Sequence, residues 1–227
     1  MTTALILVDI QNDFCTGGAL AVPGGEAVVP LANRLMSQVD IVVATQDWHP
    51  AEHGSFAINQ PGRKPFELAE LGGLPQVMWP AHCVQWTGGA QFHPGLDTPR
   101  IHRVFPKGTE VGIDSYSGFF DNGKRKATGL GEWLRAQQID DLLVCGLATD
   151  YCVKATAIDA TQLGFRTVLI EDACRGVGLQ AGDIPAALSA MREAGVIIAT
   201  SGADMRLFHA PVALSEILPT ERTCSTG

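Results

Sequence analysis

The sequence predicts an α/β fold: a mostly parallel, six-stranded sheet in three layers, with helices on both faces. Three observations predict it. Five short apolar runs rich in β-branched residues read as buried strands, and a weaker sixth joins them. Helical patterns stand between most of them, the alternation that produces a parallel, helix-covered sheet. The 227 residues suffice for one large core, and 46% hydrophobic against 18% charged residues is ordinary globular composition.

The elements follow in chain order. The first strand is Ala4–Asp9, and an amphipathic helix spans Glu26–Val39. Asp40–Thr45 is the second strand. Trp48–Arg100 then breaks the rhythm: it is rich in Pro, Gly, His and Trp and carries little periodicity, which in a compact domain points to a functional insertion. The weak strand Ile101–Phe105 and a helix over Lys126–Gln138 come next. Asp141–Cys145 is a strand, and Thr149 is a candidate N-cap for a helix over Asp150–Leu163. Arg166–Ile170 and Val196–Ala199 are the last strands. Between them lies a helix over Asp183–Ala194, with Asp183 as N-cap and Gly195 as its stop. One domain over residues 1–204 is expected, with the insertion at about 48–100 and a tail at 205–227. In that tail Phe208–Leu218 could form a short helix, and Pro219–Gly227 is expected to be mobile.

A net charge of −8 argues against nucleic acid or an anionic membrane as partner. Asp9 interrupts the first apolar run and no basic region precedes it, so it is no signal peptide. No apolar stretch approaches the roughly 20 residues of a membrane span. A cytoplasmic setting is expected, and the six scattered cysteines read as free thiols.

Sites in open parallel sheets form beyond the carboxyl ends of the strands. Asp9 ends the first strand, Asp47 and His49 follow the second, Lys107 follows the weak strand, and Cys152 follows Asp141–Cys145. At a strand-to-helix elbow, unpaired amides and the helix dipole favour a thiolate and can form an oxyanion hole. Cys152 is therefore a candidate nucleophile, whereas Cys145, inside the strand, reads as core. Asp9 directly after a buried strand is expected to be desolvated, with a raised pKa suited to proton transfer. Lys107 alone would read as a solvated loop lysine. Asp47 and His49, at i and i+2, point the same way and can grip one ion, with His82 completing a set that leaves positions open. His53 is a fourth candidate, for which loop packing weighs above ligation.

Six segments in order resemble the nicotinamidase family, within the isochorismatase-like hydrolases. They are Leu-Val-Asp-Ile-Gln-Asn-Asp-Phe from Leu7, Thr-Gln-Asp-Trp-His-Pro-Ala-Glu-His-Gly-Ser-Phe from Thr45, Trp-Pro-Ala-His-Cys-Val-Gln from Trp79, Phe-Pro-Lys-Gly from Phe105, Asp-Ser-Tyr-Ser-Gly-Phe from Asp114, and Gly-Leu-Ala-Thr-Asp-Tyr-Cys-Val from Gly146. The resemblance covers about Ala4 to Thr200 and implies the isochorismatase-like hydrolase fold.

It further implies a Cys152–Asp9–Lys107 triad that hydrolyses nicotinamide to nicotinate and ammonia through a thioester. Backbone amides of Ala148 and Cys152 would hold the oxyanion, with a cis peptide before Ala148. Asp47, His49 and His82 would hold one divalent ion, zinc first and iron or manganese next, bound to the pyridine nitrogen. Phe14, Trp79 and Tyr116 would line the ring pocket. Relatives commonly form homo-oligomers, so self-association is expected. The alternatives are an amidase for another small amide, such as pyrazinamide or a carbamoyl or ureido compound, and a non-catalytic binding protein on the same fold.

Overall fold

The computed structural model describes residues 2–203. Its centre is a six-stranded parallel sheet built from β1 (Thr2–Val8), β2 (Ile41–Asp47), β5 (Arg103–Lys107), β6 (Ile139–Leu147), β7 (Arg166–Arg175) and β8 (Ile197–Ala199), in the order β5-β2-β1-β6-β7-β8. Ala4 to Val8 have no exposed surface, as expected of a central strand covered on both faces. The helices are α1 (Val28–Met36), α2 (Leu130–Ala136), α3 (Lys154–Gln162) and α4 (Asp183–Glu193). From β1 through α1 to β2 the chain steps one way across the sheet. From β6 through α3, β7 and α4 to β8 it steps the other way. Right-handed crossovers in opposite directions put α1 on one face and α3 and α4 on the other. The reversal lies between β1 and β6, which is where open α/β sheets form their sites.

Several expected boundaries move. β6 and β7 run past Cys145 and Ile170, to Leu147 and Arg175. β5 ends on Lys107, because it pairs with β2 in a register that sets Lys107 opposite Asp47. Thr149 does not cap by its side chain. Ala148 is the N-cap, and Thr149–Val153 form a π-helical turn that leads into α3. Gly182, not Asp183, caps α4, and the Asp183 carboxylate accepts the Gln180 N–H. Gly195, at φ 91°, ends that helix as expected. The insertion is not wholly irregular: β3 (Leu68–Leu71) and β4 (Leu74–Val77) form an antiparallel hairpin. The helix expected at Phe208–Leu218, the end segment Pro219–Gly227 and Cys224 lie outside the described residues.

One glycine sets how closely the two central strands approach. Gly146 pairs with Val8, has φ 125°, and a Cβ there would lie 2.1 Å from the Val8 carbonyl oxygen. Among the described residues no helix is long and apolar enough to cross a membrane.

Candidate active site

Every strand-end residue singled out from the sequence reaches one place. Asp9 follows β1 at φ 47°, a left-handed turn that Asp tolerates better than most residues. It is wholly buried, and it continues the unbroken buried run Ala4 to Val8. Lys107, far from being a solvated loop lysine, is 2% exposed, with Nζ 2.8 Å from Asp9 Oδ2. Its ammonium donates to Asp47 Oδ1 at 2.5 Å, to the Ser115 carbonyl at 3.0 Å and to Cys152 Sγ at 3.3 Å. Asp9, Asp47 and Cys152 bring a carboxylate oxygen or the sulfur within 4.8 Å of one another.

The electrostatics correct one expectation. Burial pushes the Cys152 thiol well above its usual value; Asp9 and Asp47 add to this, and Lys107 opposes it. The resting group is a thiol, so a base must remove its proton as the sulfur reacts. Burial lifts the Asp9 carboxyl to about 6, against the pull of Lys107. That value leaves it ionised near neutrality yet basic enough to exchange a proton. Burial opposes the Lys107 charge, but Asp47, Asp9 and Cys152 override it and hold its pKa well above the lysine range. The Leu147–Ala148 peptide is cis, at the position the resemblance implied.

A second cluster shares Asp47. Ligand atoms of Asp47, His49 and His82 lie within 4.8 Å of one another, and all three residues are buried. His49 Nδ1 bonds to the Gly108 carbonyl and His82 Nδ1 to the Pro80 carbonyl, both at 2.8 Å. A carbonyl only accepts, so Nδ1 carries the proton in each neutral ring and Nε2 presents a lone pair. Those Nε2 atoms stand 3.7 and 3.8 Å from Asp47 Oδ2. Three lone-pair donors facing one point, each tied from behind, fit a divalent cation. Gly108 is required here, because a Cβ would lie 2.3 Å from His49 Cε1.

His53 belongs to a different grouping. It clusters with His49 and Asp114, not with Asp47 and His82. Its Nδ1 accepts the Ser55 N–H at 3.2 Å and faces Ser55 Oγ at 2.7 Å, and its ring lies 4.4 Å from the His49 ring. It packs against the His49 ring.

Both clusters border one cleft, through Cys152, Asp47, His49 and His82, and Phe14, Trp79, Tyr116, Ala148 and Tyr151 also line it. The cleft is flat-walled and aromatic: the Trp79 and Tyr151 rings meet edge-on at 4.8 Å, and Phe14 lies 5.5 Å from His82.

Several supporting residues were not singled out from the sequence. Gln11 clamps the Asp47 backbone, accepting its N–H and donating to its carbonyl, both at 2.8 Å. Asp13 accepts the Cys83 N–H at 2.7 Å, which fixes the loop carrying His82. Gln76 of β4 donates to Asp114 Oδ2 and Tyr116 Oη, both at 3.0 Å. Asp150 accepts the N–H groups of Val177 and Gly178 and so ties the turn bearing Cys152 to the cleft wall. Gln11, Asp13, Asp114 and Asp150 all stand inside the quoted motifs, where their polarity beside apolar neighbours was the available signal.

Comparison with known proteins adds independent findings. The isochorismatase domain family matches residues 3–203. A nicotinamidase of Escherichia coli (strain K12) is 54% identical over 201 residues, covering 87% of this chain and 94% of that protein. The solved structure of an Acinetobacter baumanii nicotinamidase pyrazinamidase has a TM-score of 0.86 at 45% identity, covering 88% of this chain and 96% of the other. A Pyrococcus horikoshii pyrazinamidase, solved in complex with zinc, has a TM-score of 0.72 at 36% identity, covering 88% and 99%.

Proposed function

The chain belongs to the isochorismatase family, and from that premise we propose that it hydrolyses nicotinamide to nicotinate and ammonia through a thioester on Cys152. One observation carries the proposal. A thiol paired with a buried cation and carboxylate, and a three-donor ion site, face the same aromatic cleft and share Asp47. An amide on a nitrogen heterocycle is the substrate that needs both.

Asp9 Oδ2 takes the Cys152 proton as the sulfur attacks the carboxamide carbon. Lys107 stays protonated throughout and balances the charge that passes between sulfur and carboxylate. The backbone N–H groups of Ala148 and Cys152 hold the oxyanion. The tetrahedral adduct collapses, Asp9 returns its proton to the departing nitrogen, and ammonia leaves. Water then adds to the thioester with Asp9 accepting its proton, the C–S bond breaks as Asp9 returns that proton to the sulfur, and the product acid leaves and ionises to nicotinate. Phe14, Trp79 and Tyr116 line the ring pocket. Asp47, His49 and His82 hold one divalent ion, zinc ahead of iron or manganese, in line with the zinc in the Pyrococcus horikoshii relative. Held there, such an ion would supply Lewis-acid polarisation of the pyridine ring, which would draw electron density from the carboxamide carbon.

The protein works in the cytoplasm, in keeping with five free cysteines among the described residues. It also self-associates. Ile58, Leu68 and Trp86 are 83%, 70% and 85% exposed, which favours burial against another copy. Sedimentation velocity should return a multiple of the single-chain mass, and a monomer at micromolar concentration would refute this.

Ammonia release from nicotinamide, pyrazinamide and a ureido compound, measured on protein of known ion content, tests the substrate. Nicotinamide should turn over fastest. Turnover of the ureido compound alone, by ion-loaded protein, would overturn the proposal.

A further inference from the structure

The two oxygens of Asp9 have different surroundings. Lys107 Nζ donates to Asp47, Ser115 and Cys152. Asp9 Oδ2 meets that same ammonium in an ion pair at 2.8 Å. Asp9 Oδ1 accepts a hydrogen bond from Thr45 Oγ1 at 2.7 Å. Thr45 is wholly buried in β2, and its side chain is held from behind. A Cβ on Gly118 would lie 2.6 Å from Thr45 Cγ2, so the methyl rests against that glycine and leaves the hydroxyl facing Asp9. Gly118 is itself fixed: its N–H donates to Thr156 Oγ1 of α3 at 2.9 Å, and its carbonyl accepts from Thr128 Oγ1 at 2.6 Å.

We propose that Thr45 is a positioning residue for the proton transfer: its hydroxyl pins Asp9 Oδ1, so that Oδ2 is the oxygen that takes and returns the Cys152 proton. In the forward step the S–H bond breaks, an O–H bond forms on Oδ2, and the sulfur bonds to the carbonyl carbon. In the return step the Oδ2 proton moves to the leaving nitrogen. Without the hydroxyl the carboxylate turns about its Cβ–Cγ bond and Oδ2 leaves the line to the sulfur. The assignment rests on the amide chemistry proposed above.

Thr45→Val keeps the branched shape and the methyl against Gly118 and removes only the hydroxyl. Thr45→Ser keeps the hydroxyl. Two rates are read on each: kcat with KM for nicotinamide, and alkylation of Cys152 by iodoacetamide, located by peptide mass mapping. Ion content is measured alongside. Thr45→Val should lower kcat by roughly 10- to 100-fold, the usual scale for a misplaced general base, with KM and ion content unchanged. Cys152 alkylation should slow with it, and Thr45→Ser should restore most of both. The Thr45→Ala and Thr45→Ser pair repeats the comparison without a γ-methyl in either.

Wild-type rates in Thr45→Val overturn the assignment. A serine variant as slow as the valine one also overturns it, because packing alone would then matter. So does loss of ion content in step with rate, which would route the effect through Asp47. A wild-type protein that releases no ammonia from nicotinamide defeats the substrate proposal alone, since alkylation still reports on Cys152 and Asp9.

Discussion

Cys152 carries a proton at rest although an ammonium stands 3.3 Å from its sulfur, because burial and two carboxylates outweigh that one cation. The nucleophile therefore depends on Asp9, and two predictions belong at this scale. Cys152→Ala removes the reacting atom from a site 7% exposed, and the smaller side chain fits the same space. Ammonia release should fall by at least about 10⁴-fold, as expected when a covalent nucleophile is lost, while the far-ultraviolet circular dichroism stays unchanged. Retained turnover would remove the thioester from the mechanism. The second prediction concerns pH. Asp9 must be ionised to accept a proton, so kcat/KM should decline as pH falls through a limb at about 6 or below. The figure is an upper limit, because a cation on Asp47 cancels one of the charges that raise Asp9. A limb well above 6 would assign the base to another group. Residue identities were legible from the sequence because each stands at a strand end. The resting state of Cys152 was not, since it depends on Asp9, Asp47 and Lys107, which lie at least 45 residues away along the chain.

Elements were legible where apolar runs were continuous. β1 and β2 were found because Leu5 to Val8 and Val42 to Ala44 are buried on both faces. The β3–β4 hairpin escaped notice because its strands are four residues each and only Gln76 among the eight is buried, so no buried apolar face marks them. The cap at Thr149 was misread because Thr is a good N-cap in general; here the turn after β6 is π-helical and the side chain caps nothing. At this scale the close approach of β1 and β6 carries a prediction. Gly146→Ala puts a methyl 2.1 Å from the Val8 carbonyl oxygen at a φ that L-residues avoid. The two effects together should cost about 3 kcal/mol or more, read as a fall in the midpoint of thermal or urea unfolding. A loss under about 0.5 kcal/mol, typical of neutral surface changes, would mean that the strands separate freely.

For the whole molecule, the alternation of strands and helices implied the sheet, but not the order β5-β2-β1-β6-β7-β8. That order sets the function. It places the direction reversal between β1 and β6, so Asp9 and the turn bearing Cys152 emerge side by side. β2 and β5 then lie next in line and bring Asp47 and Lys107 to the same edge. The insertion closes over them with His82, Trp79 and the Gln76 contacts. Residues from Asp9 to Cys152 are thus gathered by topology, and sequence spacing alone does not reveal the clamps from Gln11, Asp13 and Gln76.

Lys107 closes β5, and among the described residues β5 is the outermost strand of the sheet, paired on one side only. The cation on which the central pair depends therefore hangs from the part of the sheet with least to hold it. Edge segments open locally at lower free energy than the centre. Such an excursion withdraws the ammonium and leaves Asp9, Asp47 and the sulfur as an unbalanced negative cluster, while β1 and β6 stay folded. Catalysis should thus be switched off at urea concentrations below those that dissolve the sheet. Amides of Arg103 to Phe105 should also exchange with solvent deuterium sooner than those of Leu5 to Val8. Coincident loss of turnover and ellipticity, with equal exchange in both strands, would show that the edge and the centre open together.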